Sequence, residues 1–85
     1  MKKNNKVIIY TSSLCGFCYR AKSLLKQKNI NFQEIDVDNE YEKRVEMIQK
    51  SGGRTSVPQI FLGDQHIGGC DDLFELNRNN ELDNL

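Results

Sequence analysis

An excess of charge of either sign is missing from this chain: Lys plus Arg number 12, Asp plus Glu number 12, and the formal net charge is +0. With no excess of cations, and with both signs interspersed along the sequence, composition argues against a nucleic-acid partner held through counterion release. Long apolar runs are missing too. The basic start Met1-Lys2-Lys3-Asn4-Asn5-Lys6 is followed only by Val7 to Tyr10, too short for the apolar centre of a signal peptide, and nothing reads as a membrane segment. The expected compartment is the reducing cytoplasm, with no membrane partner. Cysteine is scarce, at 3 in 85 residues, which separates the chain from small secreted domains stapled by disulfides. Histidine occurs once, as His66. Repeats, low-complexity tracts and linkers are absent, so residues 1–85 read as a single domain.

What is present is a Cys-x-x-Cys between two kinds of segment. Val7-Ile8-Ile9-Tyr10-Thr11 is a continuous β-branched and aromatic run, the mark of a strand buried on both faces. After the polar break Ser12-Ser13 come Cys15-Gly16-Phe17-Cys18 and an amphipathic segment with Ala21, Leu24 and Leu25 on one face. A strand that hands over to a helix in this way puts Cys15 at the helix N-terminus and Cys18 about one turn further in. Unpaired N–H groups and the helix dipole favour an anionic sulfur at that end, below the free-cysteine pKa of about 8.5. Cys15 therefore reads as the nucleophile and Cys18 as the resolving thiol. Two other readings are open, a zinc knuckle and a structural bridge. Zinc wants about four ligands in compact groups, and only His66 and Cys70 remain as candidates, unpaired and far along the chain. The surrounding Arg20, Lys22, Lys26 and Lys28 form a solvated face of the helix.

The rest of the chain alternates. Ile30 to Val37 reads as a second strand, parallel to the first through a right-handed crossover. Asp38 and Asn39 are expected to cap a second helix, with Asn39 and Glu42 as a capping box and Tyr41, Val45, Met47 and Ile48 on its core side, ended by Gly52-Gly53. The only proline, Pro58, is expected to open an apolar strand through Leu62. Gly63-Asp64 suits a type II′ hairpin turn into Gln65–Gly68, on which His66 reads as a surface residue. Gly68-Gly69 precede a last helix with Leu73, Phe74 and Leu76, whose open amides form an anion site. Asp71 and Asp72 beside it suit an ammonium group, although one of them reads equally as a plain helix-start acid. The tail is expected to fray after Leu82. The order β-α-β-α-β-β-α gives an α/β fold, a mixed four-stranded sheet flanked by three helices.

Three motifs together resemble the glutaredoxins, small members of the thioredoxin superfamily: Cys15-Gly16-Phe17-Cys18, Ser56-Val57-Pro58-Gln59-Ile60-Phe61, and Gly68-Gly69-Cys70-Asp71-Asp72-Leu73. The resemblance runs from about Lys6 to Leu82 and looks closest to the small bacterial dithiol class. It implies a thioredoxin fold and a glutathione-dependent thiol–disulfide oxidoreductase acting on glutathionylated or disulfide-bearing proteins, mainly as a monomer. It further implies a cis Val57–Pro58 bond beside the cysteines, with Val57 offering its backbone to glutathione. Ser56 and Pro58 belong to the same wall. Gly69, Cys70 and Asp71 would receive the γ-glutamyl end, with Asp72 next to them, and Phe17 would flank the tripeptide where the family often has Tyr. The family usually carries Lys a few residues before the nucleophile. Here Thr11-Ser12-Ser13 stand instead, which shifts the glycyl carboxylate contact to Arg54 or another basic residue.

Two departures from this reading carry different chemistry. Gly16-Phe17 is the loop of monothiol glutaredoxins, and it admits a dimer bridged by a [2Fe–2S] cluster, with Cys15 from each chain and two glutathiones as ligands. No metal site beyond that is expected. A thioredoxin-like disulfide donor served by a flavoprotein reductase is the other. Against it stand the missing Trp before the first cysteine and the Gly-Gly-x-Asp-Asp stretch, which would have no task. Cys70 reads chiefly as a small apolar thiol under the last helix.

Overall fold

The structure is a computed structural model that describes residues 6–84. The basic start over 1–5 and the last residue lie outside the described residues. The first strand, β1 (Val7–Thr11), runs parallel to β2 (Phe32–Asp36) and antiparallel to β3 (Gln59–Leu62), which pairs antiparallel with β4 (Gln65–Gly68). The sheet order is β2-β1-β3-β4. Because β1 is internal, its side chains feed both faces. Val7 and Ile9 pack with Ala21, Leu24 and Leu25 of α1 (Gly16–Gln27) and Leu73 of α3 (Cys70–Arg78). Tyr10 packs on the other side with Phe61, Val37 and Met47 of α2 (Tyr41–Lys50). This three-layer arrangement follows from a strand without alternation, which has no face left for water.

Helix α1 stops where Asn29 takes the left-handed conformation at φ 61° and Ile30 N–H reaches back to Leu25 O at 2.9 Å. At the hairpin, Gly63 has φ 60° while Asp64 keeps a negative φ, as a type II′ turn requires. A bulge between Ile60 and Phe61 breaks the β3–β4 register.

Several expectations are corrected. The strand read over Ile30–Val37 is only Phe32–Asp36, an edge strand largely open to solvent, and Val37 is buried just beyond it. The capping box at Asn39 does not form: the N-cap of α2 is Glu40 without a side-chain bond, and Asp38 is engaged elsewhere. Tyr41 is 78% exposed, and Met47 alone in α2 is fully buried, with Ile48 packed against the same cluster from a partly buried position. Pro58 precedes β3 rather than opening it. The expectation that the tail frays after Leu82 is shifted by two residues: Leu82–Asn84 form a 3₁₀ turn, with Leu82 in the core at 0% exposure.

Candidate active site

Cys15 is the N-cap residue of α1, with extended backbone (φ −141°, ψ 103°), and its Sγ accepts the N–H of Cys18 at 3.0 Å. A donor aimed at that sulfur from the first turn of the helix favours negative charge on it. Cys18 lies one turn in, 1% exposed, whereas Cys15 is half-buried. The two are joined as a disulfide with Cα atoms 5.2 Å apart. The difference in exposure is the one that local helix geometry demands.

The approach to Cys15 is held from the neighbouring strand. Asp38 accepts from Ser12 Oγ at 2.9 Å, from Ser13 N–H at 2.9 Å and from Ser13 Oγ at 2.9 Å. The Ser13 amide first, then the two hydroxyls, hold the Asp38 carboxyl below its ordinary range. Asp38 was expected to cap α2. The signal that it does something else is topological: β1 and β2 are parallel with Thr11 opposite Asp36, so the residues that follow each strand emerge side by side.

Opposite the cysteines stands the loop between α2 and β3. The Val57–Pro58 bond is cis, as the family resemblance implied, and Val57 O lies 3.7 Å from Cys15 Sγ. The loop is anchored at two buried polar residues. Ser51 Oγ accepts from Arg54 N–H at 3.1 Å, and the Gln59 amide nitrogen donates to Ser56 O at 3.0 Å. Gln59 was read only as part of a motif, and His66 as a surface residue. His66 is instead half-buried, with Nε2 2.7 Å from Gln59 Oε1 and its ring tilted on Phe61. Burial chiefly, with the Arg54 charge, pulls the His66 pKa down, against a smaller upward pull from Asp72.

The third wall is the start of α3. Asp72 Oδ2 accepts the N–H of Gly69, the N-cap, at 2.9 Å, so Asp72 is a helix-start acid tied to the backbone, while Asp71 is exposed. Cys70 is 6% exposed, and burial pushes its thiol pKa up. A groove of about 370 Å³ runs between the second and third walls. Arg54, Ser56, Val57 and Pro58 line one side and Gly69, Cys70, Asp71 and Asp72 the other, with Phe17 at its edge. Phe17 is 58% exposed, and the Arg20 guanidinium carbon lies 6.0 Å from its ring centre. Neither cysteine of the pair lines the groove; Val57 is the residue common to both. Among the described residues no group of three or more His, Cys, Asp or Glu stands together as a metal site, and no helix is long and apolar enough to cross a membrane.

A mixed four-stranded sheet whose first helix opens on a cysteine pair, faced by a cis proline, defines a thiol–disulfide oxidoreductase of the thioredoxin-like class. Comparison with known proteins narrows the class. The glutaredoxin family pattern matches residues 7–67. Glutaredoxin 3 of Escherichia coli K12 is 54% identical over 79 residues, covering 93% of this chain and 94% of that protein. A Pseudomonas aeruginosa glutaredoxin is 51% identical over 93% of each chain. Among solved structures, the buckwheat glutaredoxin–glutathione complex superposes with a TM-score of 0.82 at 33% identity, over 92% of this chain and 73% of that one. The chain belongs to the glutaredoxin family, and Cys15–Cys18 is its active-site pair.

Proposed function

We propose that this protein reduces glutathione mixed disulfides and protein disulfides with glutathione as the reductant, as one domain over residues 1–85, mainly as a monomer in the cytoplasm. The observation that carries the reading is the groove joined to Cys15 through Val57, which offers an aromatic face, a guanidinium, a helix N-terminus and a free-standing carboxylate. Glutathione presents the complementary set of two carboxylates, one ammonium and two peptide groups. Arg54 meets the glycyl carboxylate and the Val57 backbone holds the cysteinyl unit between Ser56 and Pro58. Gly69 and Cys70, at the start of α3, take the γ-glutamyl carboxylate, and Asp71 its ammonium. Asp72 keeps the Gly69 backbone in place, and Phe17 closes the edge.

In the reaction, Cys15 thiolate attacks the glutathione sulfur of a mixed disulfide. The new Cys15–glutathione bond forms as the substrate thiolate leaves. A second glutathione thiolate then attacks that bond, releasing glutathione disulfide and regenerating Cys15. With a protein disulfide, Cys15 bonds to one substrate sulfur, and Cys18 attacks Cys15 to expel the reduced substrate. The Cys15–Cys18 disulfide is returned to thiols by two glutathiones. The groove contributes mainly proximity and alignment of the three sulfurs.

A second reading rests on Gly16, where an added Cβ would meet nothing within 4 Å. That open loop leaves space for Cys15 of two chains and two glutathione thiolates to supply the ligands of a [2Fe–2S] cluster, which would add a carrier role. The experiment that tests the main reading is turnover of a small glutathione mixed disulfide, coupled to glutathione reductase. Wild type and Cys18→Ser are expected to be active and Cys15→Ser inactive. An inactive wild type whose disulfide yields only to a strong dithiol would overturn the reading in favour of a thioredoxin-like donor.

A further inference from the structure

His66 lies on β4, two strands away from β1, and is not among the residues that line the groove. Its connection to them runs through Gln59. The Gln59 side chain is fully buried, its amide nitrogen 3.0 Å from Ser56 O and its amide oxygen 2.7 Å from His66 Nε2. A peptide carbonyl only accepts, so the amide end facing Ser56 has to be the NH₂. The end facing His66 is then the acceptor, and the imidazole donates from Nε2. A carbonyl in the active-site loop thus dictates which nitrogen of a distant ring carries the proton. Both the neutral Nε2–H tautomer and the imidazolium make this bond, so the arrangement does not depend on the ring's charge.

The residue after Ser56 is Val57, whose carbonyl oxygen lies 3.7 Å from Cys15 Sγ. We propose that His66 is a positioning residue for thiol–disulfide exchange: its Nε2–H locks the Gln59 amide, and through it the Ser56–Val57 turn that faces Cys15. Without the donor, Gln59 Oε1 is buried with no partner, and the amide turns to find one, releasing Ser56 O.

His66→Phe keeps a flat ring against Phe61 and removes the donor; His66→Gln puts an amide N–H close to where Nε2 was. The kinetic arm rests on the mixed-disulfide activity proposed above. For a turn that holds substrate equally before and during the transfer, His66→Phe is expected to raise KM for the mixed disulfide about five- to tenfold with kcat within about twofold, and His66→Gln to restore KM. A KM unchanged in His66→Phe, or a kcat that falls while KM stays put, would overturn the proposal, since mere loss of folded protein lowers kcat alone. Long-range ¹H–¹⁵N NMR of the wild-type imidazole supplies the second arm and needs neither a variant nor turnover. A neutral ring protonated at Nε2 supports the lock, and one protonated at Nδ1 alone refutes it. If wild type does not turn over the mixed disulfide, the glutathione reading fails while the tautomer still decides the role of His66.

Discussion

Replacing Gly68 by alanine tests how the last strand is joined to the last helix. Gly68 is buried at the end of β4 with φ 128°, a conformation that L-residues adopt only under strain of about 1–3 kcal/mol. A Cβ built there stands 2.7 Å from Asp72 Cβ and closer still to the carboxyl group that accepts the Gly69 N–H. The new methyl therefore displaces the cap as well, and a lost cap adds about 1 kcal/mol. The expected destabilisation is about 2–4 kcal/mol, which for a domain of this size lowers Tm by roughly 10–25 °C. Urea unfolding of Gly68→Ala, Asp72→Ala and the double variant separates the two contributions. Asp72→Ala alone loses the cap, and in the double variant there is no cap left for the methyl to displace. The pair is expected to fall short of the sum of the singles by about 1 kcal/mol. A Gly68→Ala protein within about 0.5 kcal/mol of wild type, or strict additivity, would refute the account.

Tyr10→Phe removes the 2.5 Å bond from the Tyr10 hydroxyl to Glu46 Oε2, and is expected to lose about 1 kcal/mol, the low end for a charged acceptor because the Glu46 side chain is 38% exposed. Burial first, then Glu46, raises the Tyr10 pKa from 10.0, so the unfolded chain ionises first; stability falls as pH rises above that value, and the phenylalanine variant lacks this alkaline loss. At the other limb, the same bond lowers the Glu46 pKa, and the stability it adds above the ordinary carboxylate range disappears as pH falls through it. Urea midpoints from pH 3 to 11 would show both changes, and parallel curves for the two proteins would rule them out. Leu82→Ala is expected to lose about 2–4 kcal/mol in the same assay, because the 3₁₀ turn buries that side chain completely; a loss below about 0.5 kcal/mol would show that Leu82 does not pack into the core.

The parts of the site that were legible in the sequence are those written locally. An unbroken apolar strand, a polar break and two thiols one turn apart fix Cys15 at a helix start and Cys18 inside it, with no reference to the rest of the chain. Pro58 could be placed at a strand entrance from its missing N–H, but the cis bond came only with the family resemblance. What failed was decided between segments. Asn39 had the chemistry of a cap, yet Asp38 beside it is claimed by Ser12 and Ser13, which follow a strand that only the folded sheet makes adjacent. His66 alternates like a surface residue, and the two-residue hairpin register sets it opposite Phe61, within reach of Gln59. Leu82, isolated among polar residues, carries no periodic signal at all; the 3₁₀ turn after α3 lays it on the core cluster with Val7, Leu25 and Leu73.

The edge strand β2 bears on how this protein behaves in a crowd. A sheet with an uncovered outer strand is exposed to strand addition, because a free edge templates further pairing. Among the described residues one outer edge of the sheet is Phe32–Asp36, where three polar residues, Gln33, Glu34 and Asp36, accompany Phe32 and Ile35. A second copy laid antiparallel and centred on Glu34 would set Glu34 opposite Glu34 and Asp36 opposite the apolar Phe32. The opposite edge, β4, is short and kinked by the bulge beside Ile60. Repulsion on one side and misfit on the other oppose sheet-to-sheet aggregation, leaving the cysteine end of the fold free to meet its substrates.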